Sequence, residues 1–186
     1  MKHSLLFVAS LAALSVAGCK KDNATAPDNA APTASSEQAA ATPGAVASPG
    51  QDFANTAAAS DAFEIQSSQL AAEKASSAKV KNFAEQMIKA HTESTAKLKS
   101  AAAAATPAIT PVPQLSPAQQ QALASLQSKS GAEFDKAYIQ AQAEAHQMTL
   151  ERLRAYSTTG DVPSLKAFAT EMVPIVTAHL NMAKGL

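Results

Sequence analysis

The chain has 186 residues, and its 15 Lys and Arg balance its 15 Asp and Glu. It contains six Phe, two Tyr, no Trp and a single Cys. Zero net charge and few aromatic side chains exclude a nucleic-acid binder of the usual basic kind. A single Cys excludes an internal disulfide framework and a Cys-rich zinc site. The length favours one folded domain.

Residues 1–18 have the pattern of a secretory signal, with a basic start at Lys2 and an apolar run that is shorter than the roughly 20 residues a bilayer-spanning helix needs. The sequence Val16-Ala17-Gly18-Cys19 then resembles the lipobox of bacterial lipoproteins. The resemblance implies cleavage before Cys19, acylation of that Cys and near-permanent anchoring in a membrane. Lys20 in place of Asp points to the outer membrane, with the protein facing the periplasm. An ordinary cleaved signal with a spare Cys is the alternative.

The segment that follows, up to residue 50, is rich in Ala, Pro, Ser and Thr and has almost no large apolar side chains. Such a segment cannot bury enough surface to offset its ordering entropy, so we predict a disordered tether over residues 19–50. The folded domain is predicted to occupy residues 51–186.

From Gln51 onwards, apolar residues recur at intervals of three and four, and no alternating strand pattern occurs. The sequence therefore predicts an all-α fold. Helix one is expected from about Asp52, as its N-cap, to Ser76, and helix two from there to an alanine run over residues 101–105. The short connection between them makes an antiparallel pair.

Four prolines between residues 106 and 117 end helix two, and Ser116 is a good N-cap for a short helix over residues 117–129. Helix three is expected over residues 132–157, and helix four follows with Asp161 as its N-cap and a bend at Pro174. The order predicts a four-helix bundle with an extended middle crossover that contains a short extra helix. Ferritin-like folds have such a crossover, but a simpler antiparallel bundle also fits its length.

The predicted helices two, three and four carry one histidine each, namely His91, His146 and His179, and helix one carries Glu64 between apolar neighbours. Counting residues from the turns places Glu64, His91 and His146 in one layer, with His179 roughly 7 Å deeper and Asp135 deeper still. A carboxylate with two or three imidazoles suits Zn, Fe, Cu or Mn. Two other interpretations stay open: histidines paired across helices with Glu64 or Asp135, and histidines exposed to solvent.

Several ordered blocks of the predicted helices resemble the DUF4142 family of bacterial exported proteins over about residues 52–183. The blocks are Phe63-Glu64-Ile65, Leu70-Ala71, Val80-Lys81-Asn82-Phe83-Ala84, Met87-Ile88 with His91, Phe134-Asp135-Lys136-Ala137-Tyr138 with His146, and Pro174 with His179-Leu180. The resemblance implies a ferritin-like four-helix bundle in the cell envelope, and it brings no established activity.

Ferritin-like di-iron enzymes carry Glu-x-x-His on two helices, and this chain has no such pair. The residues three after Glu85, Glu144 and Glu171 are Ile88, Gln147 and Pro174. We therefore expect no di-iron centre. The chain also lacks a G-x-S-x-G nucleophile motif and a glycine-rich phosphate loop, so no catalytic residue is predicted.

Three functional hypotheses remain at this point. The first is a non-enzymatic envelope lipoprotein, held at the membrane by its lipid, whose periplasmic bundle binds a protein partner or a small ligand, in envelope stress. The second is a protein that binds one transition-metal ion, or uses it in redox chemistry, through Glu64, His91, His146 and His179, with Asp135 as a further candidate ligand. The third is a purely structural envelope protein. The identity of any cofactor and the oligomeric state are left open.

Overall fold

The computed structural model describes residues 47–186, which form five helices and no strand, so the predicted all-α fold is confirmed. The helices are α1 (Pro49–Lys74), α2 (Ala78–Ala103), α3 (Pro117–Gln127), α4 (Gly131–Thr159) and α5 (Pro163–Lys184). Within residues 47–186, no helix combines the length and the apolar character that crossing a bilayer requires. The predicted signal, the lipidation at Cys19 and the tether up to residue 46 lie outside the described residues.

Two predicted helix starts are wrong. Helix α1 begins at Pro49, inside the predicted tether, because the Ser48 side chain accepts a hydrogen bond from the Gln51 amide and acts as the N-cap in place of Asp52. Helix α5 has Val162 at its N-cap position, and Asp161 instead accepts a hydrogen bond from the Tyr156 hydroxyl.

The predicted start of the short helix α3 is confirmed. Ser116 and Gln119 form a reciprocal capping box, and Pro117 occupies the first helical turn. Pro174 lies inside α5, as predicted, and the bend it should cause stays a prediction.

Contacts at the helix ends establish the topology. Asp135, at the start of α4, accepts hydrogen bonds from Ser76 and Ser77 in the α1–α2 turn. At the opposite end, Ser164, at the start of α5, donates to the carbonyl of Ala101 near the end of α2. Helices α2 and α4 therefore run parallel, and residues 104–130 must return along the length of the bundle, which excludes the simpler antiparallel arrangement.

Each hairpin packs against the other: α1 contacts α2 and α4, and α5 contacts α4 and α2, while α3 covers α1 and α4. The apolar core forms two large clusters towards the two ends of the bundle and a third, smaller one where α3 covers α1 and α4. One large cluster includes Phe53, Leu98, Leu153 and Phe168, and the other includes Val80, Phe83, Phe134 and Tyr138. On each long helix, buried polar residues lie between the part that enters one large cluster and the part that enters the other, and Asp135, at the start of α4, is the exception.

Candidate metal centre

Each long helix places at least one buried titratable side chain in this middle layer. They are Asp61 (5% exposed) and Glu64 (1%) on α1, His91 (3%) on α2, His146 (1%) on α4 and His179 (8%) on α5. Asp61 and Glu64 are three residues apart, so they share one face of α1. A helical bundle rarely buries so many polar groups together unless each has a partner.

The three histidines form a nearly equilateral triangle. The ring centroids of His91 and His146 are 5.6 Å apart, those of His91 and His179 are 5.7 Å apart, and those of His146 and His179 are 5.6 Å apart. One ring nitrogen from each lies within 4.8 Å of the others. Three nitrogens on one ion at about 2.0–2.1 Å would be roughly 3.5 Å apart, so small side-chain rotations suffice to bring them onto a shared ion.

Neighbouring acceptors determine which ring nitrogen is free on two of these histidines. His91 donates from Nδ1 to Asp61 Oδ1 at 2.8 Å, and Thr95 donates to the other oxygen of Asp61 at 3.2 Å. His146 donates from Nδ1 to the carbonyl of Gln142 at 2.8 Å. In its neutral form, each of these two rings therefore keeps an unprotonated Nε2, which is the arrangement that metal-ligating histidines usually have.

One further buried ring nitrogen on each of the three histidines has no hydrogen-bond partner within residues 47–186. Nε2 of His91, Nε2 of His146 and Nδ1 of His179 are fully buried and make no hydrogen bond to any described residue. Each unpaired buried polar atom costs on the order of 1–3 kcal/mol of folding free energy. Pairing with protein groups, the alternative that the sequence left open, thus accounts for one nitrogen of His91 and one of His146 and leaves the others unsatisfied. A single bound cation would satisfy all three together.

The electrostatic environment keeps two of the rings neutral. Burial, followed by the charge on His91, lowers the pKa of His146 from 6.5 to about 3 and the pKa of His179 to about 4. Neutral imidazole is the form that binds metals. His91 differs, because burial alone would lower its pKa, but the hydrogen bond to Asp61 and the charge on Glu64 raise the pKa above 6.5.

Glu64 lies beside this cluster. Its Oε1 is 3.6 Å from Nδ1 of His146, which is beyond ordinary hydrogen-bond length, and neither carboxylate oxygen has a hydrogen-bond partner among the described residues. Burial raises the pKa of Glu64 from 4.5 to about 7. Glu64 is thus a neighbour of the three-histidine group, which does not include it.

The structure does not bring Asp135 to the cluster. The Asp135 carboxylate accepts hydrogen bonds from the backbone amides of Ser76 and Ser77 and from the Ser76 hydroxyl, so it holds the α1–α2 turn at one end of the bundle. Ser76 and Ser77 precede the first residue of α2, so the Asp135 carboxylate binds the turn and leaves the first helical amides to other partners.

The predicted depth of His179 is wrong, because its ring shares the layer of the other two. Side chains on a helix lean towards its N-terminus. Since α4 and α5 are antiparallel, His146 leans away from the α4–α5 turn and His179 leans towards it. These opposite directions remove the difference in depth that was predicted by counting backbone residues.

Asp61 is a buried member of the candidate site that the sequence did not single out. It precedes Glu64 by one helical turn, and that spacing was the available signal for a second carboxylate on the inward face of α1. The neighbouring Ser60 and Ala62 gave no apolar stripe that would have marked Asp61 as buried.

A groove of about 820 Å³ lies apart from these groups, between α1, α4 and the crossover. Thr56, Ser60, Leu115, Met148 and Arg152 are among its lining residues, and none of the three histidines contributes to it. It is large enough for a small organic molecule.

The described domain is thus a four-helix bundle with a buried, histidine-rich polar layer. The chain belongs to the DUF4142 family, a domain of unknown function, whose family model matches residues 34–186. The solved structure of CopM in the Cu(I)-bound form has a similar fold, with a TM-score of 0.60 at 16% sequence identity over 73% of this chain and 93% of that chain. No curated protein matches the chain.

Proposed function

We propose that this domain binds a single transition-metal ion, with His91, His146 and His179 as its ligands. The observation that carries the proposal is the convergence of three buried ring nitrogens within 4.8 Å. Two of the rings are held by acceptors that leave Nε2 free. Imidazole ligands suit Cu, Zn, Fe and Ni, so the donor set alone selects a group of metals and no single one.

Copper is our first candidate within that group. The CopM structure, which has a similar fold at 16% sequence identity, is described as Cu(I)-bound, and this makes copper the first metal to test. The burial of the site is a second reason, because a singly charged ion costs less to remove from water than a doubly charged one. Zinc, which also binds well to three histidines, is the comparison metal.

The test is metal binding by the purified, tag-free domain after removal of metals. Elemental analysis after loading and dialysis should give one ion per chain, and anaerobic titration against a chromogenic Cu(I) chelator should give its affinity. A His91→Ala, His146→Ala double variant should lose the ion. Ser94→Ala, which changes another buried polar side chain on α2, should retain it. No binding by the native chain, or equal binding by the double variant, would refute the proposal.

We also propose that the bundle is held at the outer membrane by acylated Cys19 and faces the periplasm. The support is the lipobox-like sequence before Cys19 and the Ala- and Pro-rich segment after it. Mass spectrometry of the mature chain should show lipid on Cys19, and Cys19→Ala should abolish that mass and release the protein from the membrane fraction. An unmodified, soluble native product would contradict this assignment.

A further inference from the structure

The two carboxylates on the inward face of α1 are in very different situations. Asp61 uses both oxygens, one for His91 and the other for Thr95. Glu64 is 1% exposed, and both of its oxygens lack a hydrogen-bond partner in the described part of the chain. A buried carboxylate without partners is costly, and such a group in a native protein needs an explanation.

Two donors lie near Glu64, but neither is hydrogen-bonded to it. His146 Nδ1 is 3.6 Å from Glu64 Oε1, but it donates its proton to the carbonyl of Gln142. One of the two N–H groups of the Gln142 side-chain amide is given to the hydroxyl of Ser67, and the other makes no hydrogen bond of ordinary geometry to either Glu64 oxygen. The network of described residues around Glu64 therefore leaves both of its oxygens without a donor, beside three histidines that could hold a cation.

We propose that Glu64 is the residue that allows this site to hold a divalent ion as well as a monovalent one. The inference rests on the proposed metal site and extends it to the charge of the ion. Three neutral imidazoles contribute no charge. Asp61 balances one positive charge, which suffices for Cu(I), and Glu64 balances the second charge of an ion such as Zn(II).

Coulomb energies give the proposal a quantitative form. The attraction between Glu64 and the ion is proportional to the charge of the ion, so removing the carboxylate charge costs a divalent ion twice the free energy that it costs a monovalent ion. The fold-loss in affinity for a divalent ion is then about the square of the loss for Cu(I). Affinity losses of about 10–100-fold are typical when a group that supports the ligands of a metal is changed. If Zn(II) loses affinity by this factor, the square-root relation implies a loss of roughly 3–10-fold for Cu(I).

The experiment compares Zn(II) and anaerobic Cu(I) affinities of the native domain and Glu64→Gln at pH 8. The control is Glu144→Gln, the same substitution at an exposed carboxylate on α4, which should change neither affinity. Glu64→Gln should weaken Zn(II) by the larger factor. Glu64→Met, an apolar side chain of similar length, repeats the comparison in case the amide variant does not fold.

Equal fold-losses for the two ions, or no loss for either, would overturn the role of Glu64 while leaving the three-histidine site intact. Absence of metal from the native chain would instead refute the proposed function itself, so the two failures are distinguishable. Unfolding of the metal-free variant in urea supplies a second readout. Relief of an unpaired buried charge should raise the midpoint for Glu64→Gln, and a lower midpoint together with equal fold-losses would assign Glu64 a purely structural role.

Discussion

At the scale of single residues, the contact between Asp61 and His91 would let a carboxylate influence the proposed metal without touching it. The carboxylate accepts the Nδ1 proton at 2.8 Å and so fixes both the orientation of the ring and the identity of its free nitrogen. Thr95 in turn donates to the second oxygen of Asp61, at 3.2 Å. A carboxylate on α1 and a hydroxyl on α2, the helix of His91 itself, thus fix the position of this ring.

We therefore expect Asp61→Asn to reduce metal affinity by about 10–100-fold, because the amide keeps an acceptor for His91 but loses the charge that makes the ring a stronger ligand. Chelator competition measures the change. Glu73→Gln, at an exposed carboxylate on the same helix, is the control and should bind as the native chain does. Unaltered affinity in Asp61→Asn would show that His91 does not depend on this contact.

The metal-free domain should lose stability as the pH falls from about 6 to 4.5. The unfolded chain takes up protons at His146 and His179 near pH 6.5, whereas their folded pKa values are about 3 and about 4. Glu64 offsets one of these two protons: its folded pKa of about 7 exceeds its unfolded value of 4.5, so the folded chain holds a proton there that the unfolded chain lacks. His91 is protonated in both states below pH 6.5, since its pKa is raised.

One uncompensated proton corresponds to a loss of about 1.4 kcal/mol per pH unit, which urea unfolding at a series of pH values can measure. His179→Gln removes one of the two histidines that take up a proton only in the unfolded chain, so it should flatten the dependence of the free energy of unfolding on pH in this window. A native profile without slope, or the same slope in His179→Gln, would contradict the assigned pKa directions.

At the scale of secondary structure elements, the hairpin turn between α1 and α2 depends on a residue from a third helix. Ser77 occupies the N-cap position of α2 but makes no side-chain capping bond. Asp135, at the start of α4, instead accepts the backbone amides of Ser76 and Ser77, immediately before α2, and so holds the turn. The acceptor for one hairpin thus comes from the other.

We expect Asp135→Ala to lower the free energy of unfolding by about 1–3 kcal/mol, because it leaves two part-buried backbone amides without an acceptor. Metal stoichiometry should be unchanged, since this turn is at one end of the bundle. Urea unfolding and elemental analysis test the two parts separately. Glu133→Ala, exposed in the same turn of α4, is the control, and loss of metal from Asp135→Ala would place this carboxylate back among the ligands.

The elements were largely predictable from the sequence, because apolar periodicity together with Pro and Gly marks the body of each helix and its approximate ends. The cap at Ser48 was not, since Ser-Pro-Gly has the composition of a linker as well as of a helix start. The parallel direction of α2 and α4 could not be deduced either, because the crossover is long enough for both arrangements. The candidate ligands His91, His146 and His179 came from the sequence, but their shared depth required the direction in which side chains lean.

At the scale of the whole molecule, a bound ion should stabilise the fold by mass action. At a free metal concentration one hundred times the dissociation constant, the gain is about 2.7 kcal/mol, which corresponds to roughly 5–10 °C in Tm for a domain of this size. Calorimetry with and without Cu(I) or Zn(II) measures the shift. The His91→Ala, His146→Ala double variant should show none, and an equal shift in that variant would point to binding elsewhere.

His91 belongs to the first helical hairpin, whereas His146 and His179 belong to the second. An ion held by all three would cross-link segments that are far apart along the chain, as a disulfide does in many exported proteins, and would restrict the unfolded chain in the same way. With one cysteine in the whole sequence, such a covalent cross-link is not open to this chain. If the three histidines coordinate an ion, the concentration of metal around the protein would determine how strongly the two hairpins are held together.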